Sequence, residues 1–133
     1  MGYTNYWTRT TKKLPAEFIE EVKGVIADCK VKGITLCNGH GENEPIVKED
    51  AVIFNGTQDN DLWHESFYIT NSEDELGEWQ FCKTAEKPYD YAVKEVLKIA
   101  EKYGLVKDVS DDGEVEFLND EEYLAKYGRG RLA

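Results

Sequence analysis

Residues 89–103 carry one unbroken apolar stripe. Tyr89, Ala92, Val93, Val96, Leu97, Ala100 and Tyr103 recur at helical spacing, Pro88 precedes them and Gly104 follows. A helix of this kind holds only when its stripe is buried against another layer, so the rest of the chain has to supply that layer. A second helical pattern, Phe18, Val22, Val25, Ile26 and Cys29, follows Pro15. Glu17, Glu20 and Glu21 are placed early in it, where the helix dipole favours acids, and Gly33 marks its end.

The remaining apolar residues sit in strand-like runs. Residues 3–10 alternate and are rich in Thr and aromatics. Ile34–Cys37 is a short strand, and residues 46–55 contain another, Ala51–Asn55. Glu65–Ile69 and Glu78–Cys82 are two more, joined by residues 71–77, which read as an acidic, exposed hairpin connection. Beyond the long helix come a polar turn at Asp111–Gly113, a strand at Glu114–Phe117 and a short helix from Asp120 to Tyr127. The expected fold is α+β: a mostly antiparallel sheet of five to six strands with two amphipathic helices packed on one face. Residues 1–133 form one domain, with 128–133 a loose tail.

Charge narrows the partners. The net charge is −11, and such a surface repels nucleic-acid phosphates and anionic lipid over a Debye length of about 8 Å. Neither a nucleic acid polymer nor a membrane is an expected partner. No apolar run approaches the ~20 residues of a membrane span, and the chain reads as a soluble cytoplasmic protein. Cys29, Cys37 and Cys82 form neither a CxxC nor an even framework, and read as free thiols.

Chemistry concentrates in three places. Phe81-Cys82-Lys83-Thr84-Ala85-Glu86-Lys87-Pro88-Tyr89-Asp90 runs from a strand end into the long helix. It gathers Lys83, Thr84, Lys87 and Tyr89 at a helix N-terminus, which suits a phosphate or carboxylate; a capped junction with solvated lysines is the structural alternative. In the first strand, alternation puts Tyr3, Asn5, Trp7 and Arg9 on one face and Thr4, Tyr6 and Thr8 on the other. Rings beside a guanidinium suit a flat anion, although Trp7 and Arg9 also fit a core with a paired charge. His64 could act as a base or donor, but in an extended segment His64 and Glu65 face opposite ways. HExxH, GxSxG and P-loop patterns are absent. Two histidines, His40 and His64, give little basis for a zinc site, and no metal or other cofactor is expected.

GYTNYW at the start, HESF in the middle and FCKTAEKPYD before the long helix occur in this order. Together they resemble a family of small, uncharacterised phage and prophage proteins with GxTxYW, HExF and FCKTAxKPYD motifs. The resemblance covers most of residues 2–100 and implies a bacterial host cell and no mechanism. Three functions are open. The first is an accessory protein that binds an anionic small molecule, such as a nucleotide immune signal of the host, through Tyr6, Trp7, Arg9, His64, Lys83, Thr84, Lys87 and Tyr89. The second is a nucleotide-processing enzyme using His64. The third is an acidic inhibitor that docks on a host protein, steered by carboxylates in 71–78 and 108–122. The oligomeric state is left open.

Overall fold

The computed structural model describes residues 2–113. The class is α+β, and the described residues form two helices and six strands in two small antiparallel sheets. Strand β1 (Thr4–Arg9) leads into helix α1 (Ala16–Val31). Strands β2 (Ile46–Lys48), β3 (Ala51–Phe54) and β4 (Phe67–Thr70) follow, with one 3-10 turn at Asp59–Asp61. Strand β5 (Trp79–Lys83), helix α2 (Asp90–Lys102) and strand β6 (Val106–Asp111) complete the order. One sheet runs β5-β1-β6 and the other β2-β3-β4.

The α2 stripe is buried as its spacing predicts: Tyr89, Ala92, Val93, Val96, Leu97 and Ala100 are all inaccessible or nearly so. Covering a Val or Leu side chain is worth about 1.5–3 kcal/mol. Gly104 closes the helix at φ +73°, and Leu105 N donates to Ala100 O at 2.9 Å. In α1, Phe18, Ile19, Val22 and Cys29 are buried, and the helix packs on α2. One core joins both helices and both sheets, with Trp7, Phe54, Phe67, Ile69 and Leu105 among its members.

The six strands part into two sheets where one was expected. Ile34–Cys37 is not a strand: it makes a single bridge, Cys37 to Asn55. Residues 46–48 and 51–54 instead form a tight hairpin. Among the described residues β6 lies at the edge of its sheet, mostly exposed, with only Val106 and Val109 apolar, so its polar sequence hides it. Asp108 sits at φ +53°, and the β1–β6 register shifts between Tyr6 and Thr8, as at a bulge. Residues 71–78 join β4 to β5, which lie in different sheets, and Glu75 within them is buried, which corrects the exposed hairpin expected there. The strand at 114–117, the helix at 120–127 and the tail at 128–133 lie outside the described residues.

Candidate functional site

The junction before α2 is closed by its own groups. Thr84 N and Ala85 N both donate to Tyr3 O, at 2.9 and 3.2 Å. Ala85 and Glu86 turn the chain at φ +54° each. The Thr84 hydroxyl, fully buried, donates to Asp90 Oδ1 at 2.6 Å, and Asn5 Nδ2 donates to the same oxygen at 2.7 Å. Lys94 Nζ lies 3.6 Å from the other carboxylate oxygen. The anion at this helix start is therefore the chain's own Asp90. The N–H groups of Asp90, Tyr91 and Val93 donate to the carbonyls of Lys87, Pro88 and Tyr89, so these three are already engaged within the chain.

The four cation and hydroxyl candidates of the junction point to different places. The Tyr89 phenol is buried and donates to Glu65 O at 2.5 Å. Burial, then the neighbouring Cys82, raises its pKa above the usual tyrosine range. Burial likewise pushes the Cys82 thiol up to about 12, with Glu65 adding to it, so this thiol is no nucleophile at neutral pH. Lys87 Nζ donates to Asp61 O and lies 3.4 Å from its carboxylate. The Lys83 ammonium lies 5.7 Å from the centre of the Phe81 ring on the outer face of the sheet.

Arg9 is fully buried and bound within the protein. Its Nε donates to Glu75 Oε1 at 3.1 Å, Nη1 to Leu105 O at 2.7 Å and Nη2 to Thr70 O at 2.9 Å. Glu75 also accepts from Thr70 N and Thr70 Oγ1, both at 2.8 Å. Burial draws the guanidinium pKa below its usual value, and Glu75 opposes that pull. The arginine thus ties β1 of one sheet to β4 of the other. Trp7 is 2% exposed and tilts over Phe67 at 5.3 Å, its Nε1–H without an acceptor among the described residues.

His64 is exposed, and its backbone is gripped by the Asn55 carboxamide: Nδ2 donates to His64 O at 2.9 Å, and Oδ1 accepts from His64 N at 3.0 Å. Glu65 turns away and accepts Lys83 N–H at 2.8 Å. No described residue hydrogen-bonds the imidazole. Tyr6 lies on the opposite face of β1 from Trp7, its hydroxyl donating to Asp112 Oδ1 at 2.9 Å and its ring stacked on Trp79 at 5.9 Å.

The eight residues therefore divide among the core, the junction and two surfaces, and none of them lines the cleft at the end of α1. That cleft, about 870 Å³, opens between the end of α1 and the loops at 41–44 and 57–59; Lys30, Glu42, Glu44 and Asp59 all line it, an acidic balance that suits no anion. Among the described residues no group of three or more His, Cys, Asp or Glu side chains is placed to hold a metal ion, and no helix is long and apolar enough to cross a membrane.

A different surface stands out. Trp79 is 60% exposed, Phe81 43% and Tyr68 44%. Trp79 and Phe81 are 5.2 Å apart on β5, and a groove of about 340 Å³ runs between them and β4, lined by Glu65, Ser66, Tyr68, Trp79, Gln80 and Phe81. Period-two alternation of Trp79, Phe81 and Lys83 against Gln80 and Cys82 carries this patch in the sequence, but rings are ordinarily assigned to the core. Comparison with protein-family models, curated proteins and solved structures gives no match to this chain.

Proposed function

We propose that this chain is a protein-binding accessory module that docks a basic partner on the ring patch of β5 and β4. The observation that carries the reading is the cluster of Trp79, Phe81 and Tyr68, three large rings held in solvent side by side. Exposed apolar clusters of this kind mark interaction surfaces, and aromatic anchors dominate binding energy at such surfaces. The net charge of −11 adds steering toward a cationic face. In the phage setting that the motif resemblance implies, the partner is a host protein.

The anionic-ligand and His64-enzyme readings have less support. Trp7, Arg9, Thr84 and Tyr89 are buried, and His64 is exposed with no described residue hydrogen-bonded to its imidazole. The test is capture from host lysate at low and high salt with wild-type bait and with a Trp79→Ala/Phe81→Ala bait of matched circular dichroism. Titration of the purified partner then follows. Affinity should fall at least about 30-fold in the double variant, the equivalent of a 2 kcal/mol hot spot. Equal affinity for both baits refutes the reading.

A further inference from the structure

β5 and β4 border the groove with edges on which no strand is paired among the described residues, and their phase can be read from the hydrogen bonds. Arg9 N donates to Glu78 O and Thr84 N to Tyr3 O, each at 2.9 Å, in register with the β1–β5 ladder. In an antiparallel pair only alternate residues exchange N–H and C=O groups. Tyr3, Asn5, Trp7 and Arg9 therefore pair with Thr84, Cys82, Gln80 and Glu78. Trp79, Phe81 and Lys83 turn their backbone groups to the outer edge. By the same argument Asn71 N to Asp50 O (3.0 Å) sets the β3–β4 phase, and Tyr68 and Thr70 face outward.

Both ends of this window are closed. Lys83 is clasped by Glu65, whose N–H donates to Lys83 O at 3.1 Å and whose carboxylate accepts Lys83 N–H. Thr70 is clasped by Glu75 and Arg9. Between the clasps, the outward groups of Trp79 and Phe81 on β5 and Tyr68 on β4 have no strand paired with them among the described residues. Proteins ordinarily blunt such edges with proline, a bulge or a charge. Here the edge carries Trp79 and Phe81; its one charge is Lys83, whose backbone groups sit in the Glu65 clasp while its exposed ammonium lies over the Phe81 ring.

We propose that this window receives a short extended segment of the partner, which adds as a strand to β5 at Trp79–Phe81 and carries Arg or Lys beside the rings. The inference rests on the protein-binding reading above and specifies its mode. Backbone addition supplies register and affinity. The charge preference follows from the groove itself: Glu65 is the one charged residue among its described lining, and Glu73, Asp74 and Glu78 are exposed in the segment that leads into Trp79. Lys83 over Phe81 at 5.7 Å shows that the Phe81 ring accepts a cation. The closed ends limit the paired stretch to about three residues, roughly 10 Å of strand.

The probe is the capped peptide Thr-Arg-Val-Arg-Val-Arg-Thr, added to the wild-type protein and read by NMR amide exchange. At about nine times its Kd the peptide should slow exchange of the Trp79 and Phe81 amides roughly tenfold. A peptide N-methylated at alternate amides, and one with Glu in place of Arg, should lose that protection. No binding of the parent peptide at about 1 mM overturns the inference. So does unchanged exchange with peptide bound, or equal binding by the N-methylated peptide; in these cases ring contact alone survives, and the capture experiment still judges the protein-binding reading. A dimer by sedimentation without peptide, with the same two amides protected, also overturns it, because a second copy then fills the window.

Discussion

Glu75 should behave as a core residue, although it lies in an acidic loop with Glu73, Asp74 and Glu78. Its carboxylate accepts three hydrogen bonds, from Arg9 Nε, Thr70 N and Thr70 Oγ1, and its side chain is 4% exposed against 0% for Arg9. Glu75→Ala leaves a buried guanidinium with only carbonyl partners and orphans the Thr70 amide. Breaking one side of a buried pair costs about 3–5 kcal/mol. Glu75→Gln keeps an acceptor oxygen but removes the charge, and should lose about 1.5–3 kcal/mol, the range for hydrogen bonds to charged groups. Replacing both partners, as Arg9→Met/Glu75→Leu, should cost less than the two single changes together, because no charge is then stranded. Urea unfolding followed by tryptophan fluorescence measures all of these at constant m. A loss below about 1 kcal/mol for Glu75→Ala, the value of a solvated surface pair, would refute the reasoning. If that variant does not fold, the Gln variant reads the same quantity.

Two further expectations follow from local geometry. A Cβ on Gly56 would lie 1.9 Å from Leu62 O and 3.1 Å from the Tyr89 ring, so Gly56→Ala should cost about 3 kcal/mol or more; Gly24→Ala, in the middle of α1 with nothing within 4 Å of its Cβ, should stabilise by about 0.5–1 kcal/mol. Equal thermal shifts for the two would contradict the geometry. Asp111 is partly desolvated, which alone would raise its pKa, but the hydrogen bond from Lys94 and its charge hold it below the usual 3.8. A depressed carboxylate contributes stability that is present above pH 3.8 and is lost as pH falls through its folded pKa. Asp111→Asn should therefore flatten the acid limb of a stability–pH curve below about pH 4, and an unchanged slope would exclude that linkage.

Elements with a strong period were legible in the sequence. The stripe of α2, the alternation of β1 and the α+β class all follow from spacing. Weakly patterned elements were not. β6 exposes most of its residues, and it is held by pairing to β1 and by Lys94, which bridges Tyr3, Asn5 and Asp111. The joining of the two sheets runs through Arg9, whose partners at Glu75, Thr70 and Leu105 are 66, 61 and 96 residues away; no local pattern reports contacts at that range. The same distance hid the fate of the candidate site. Lys83, Thr84 and Lys87 share a helix start in the sequence, but Asp90 fills the position an outside anion would take. Trp79 and Phe81 were missed because rings in a strand are ordinarily read as core, and here Cys82 faces inward instead.

β1 is the middle strand of its sheet and the earliest of the six in chain order, while its two neighbours are β5 and β6. During synthesis it must wait unpaired until residues 79–83, and then 106–111, have left the ribosome. The sheet that holds Trp7 and Arg9 is therefore completed late, by contacts far apart in sequence. A nascent chain arrested before residue 106 would hold Trp7 and Arg9 without their final surroundings and remain a target for chaperones.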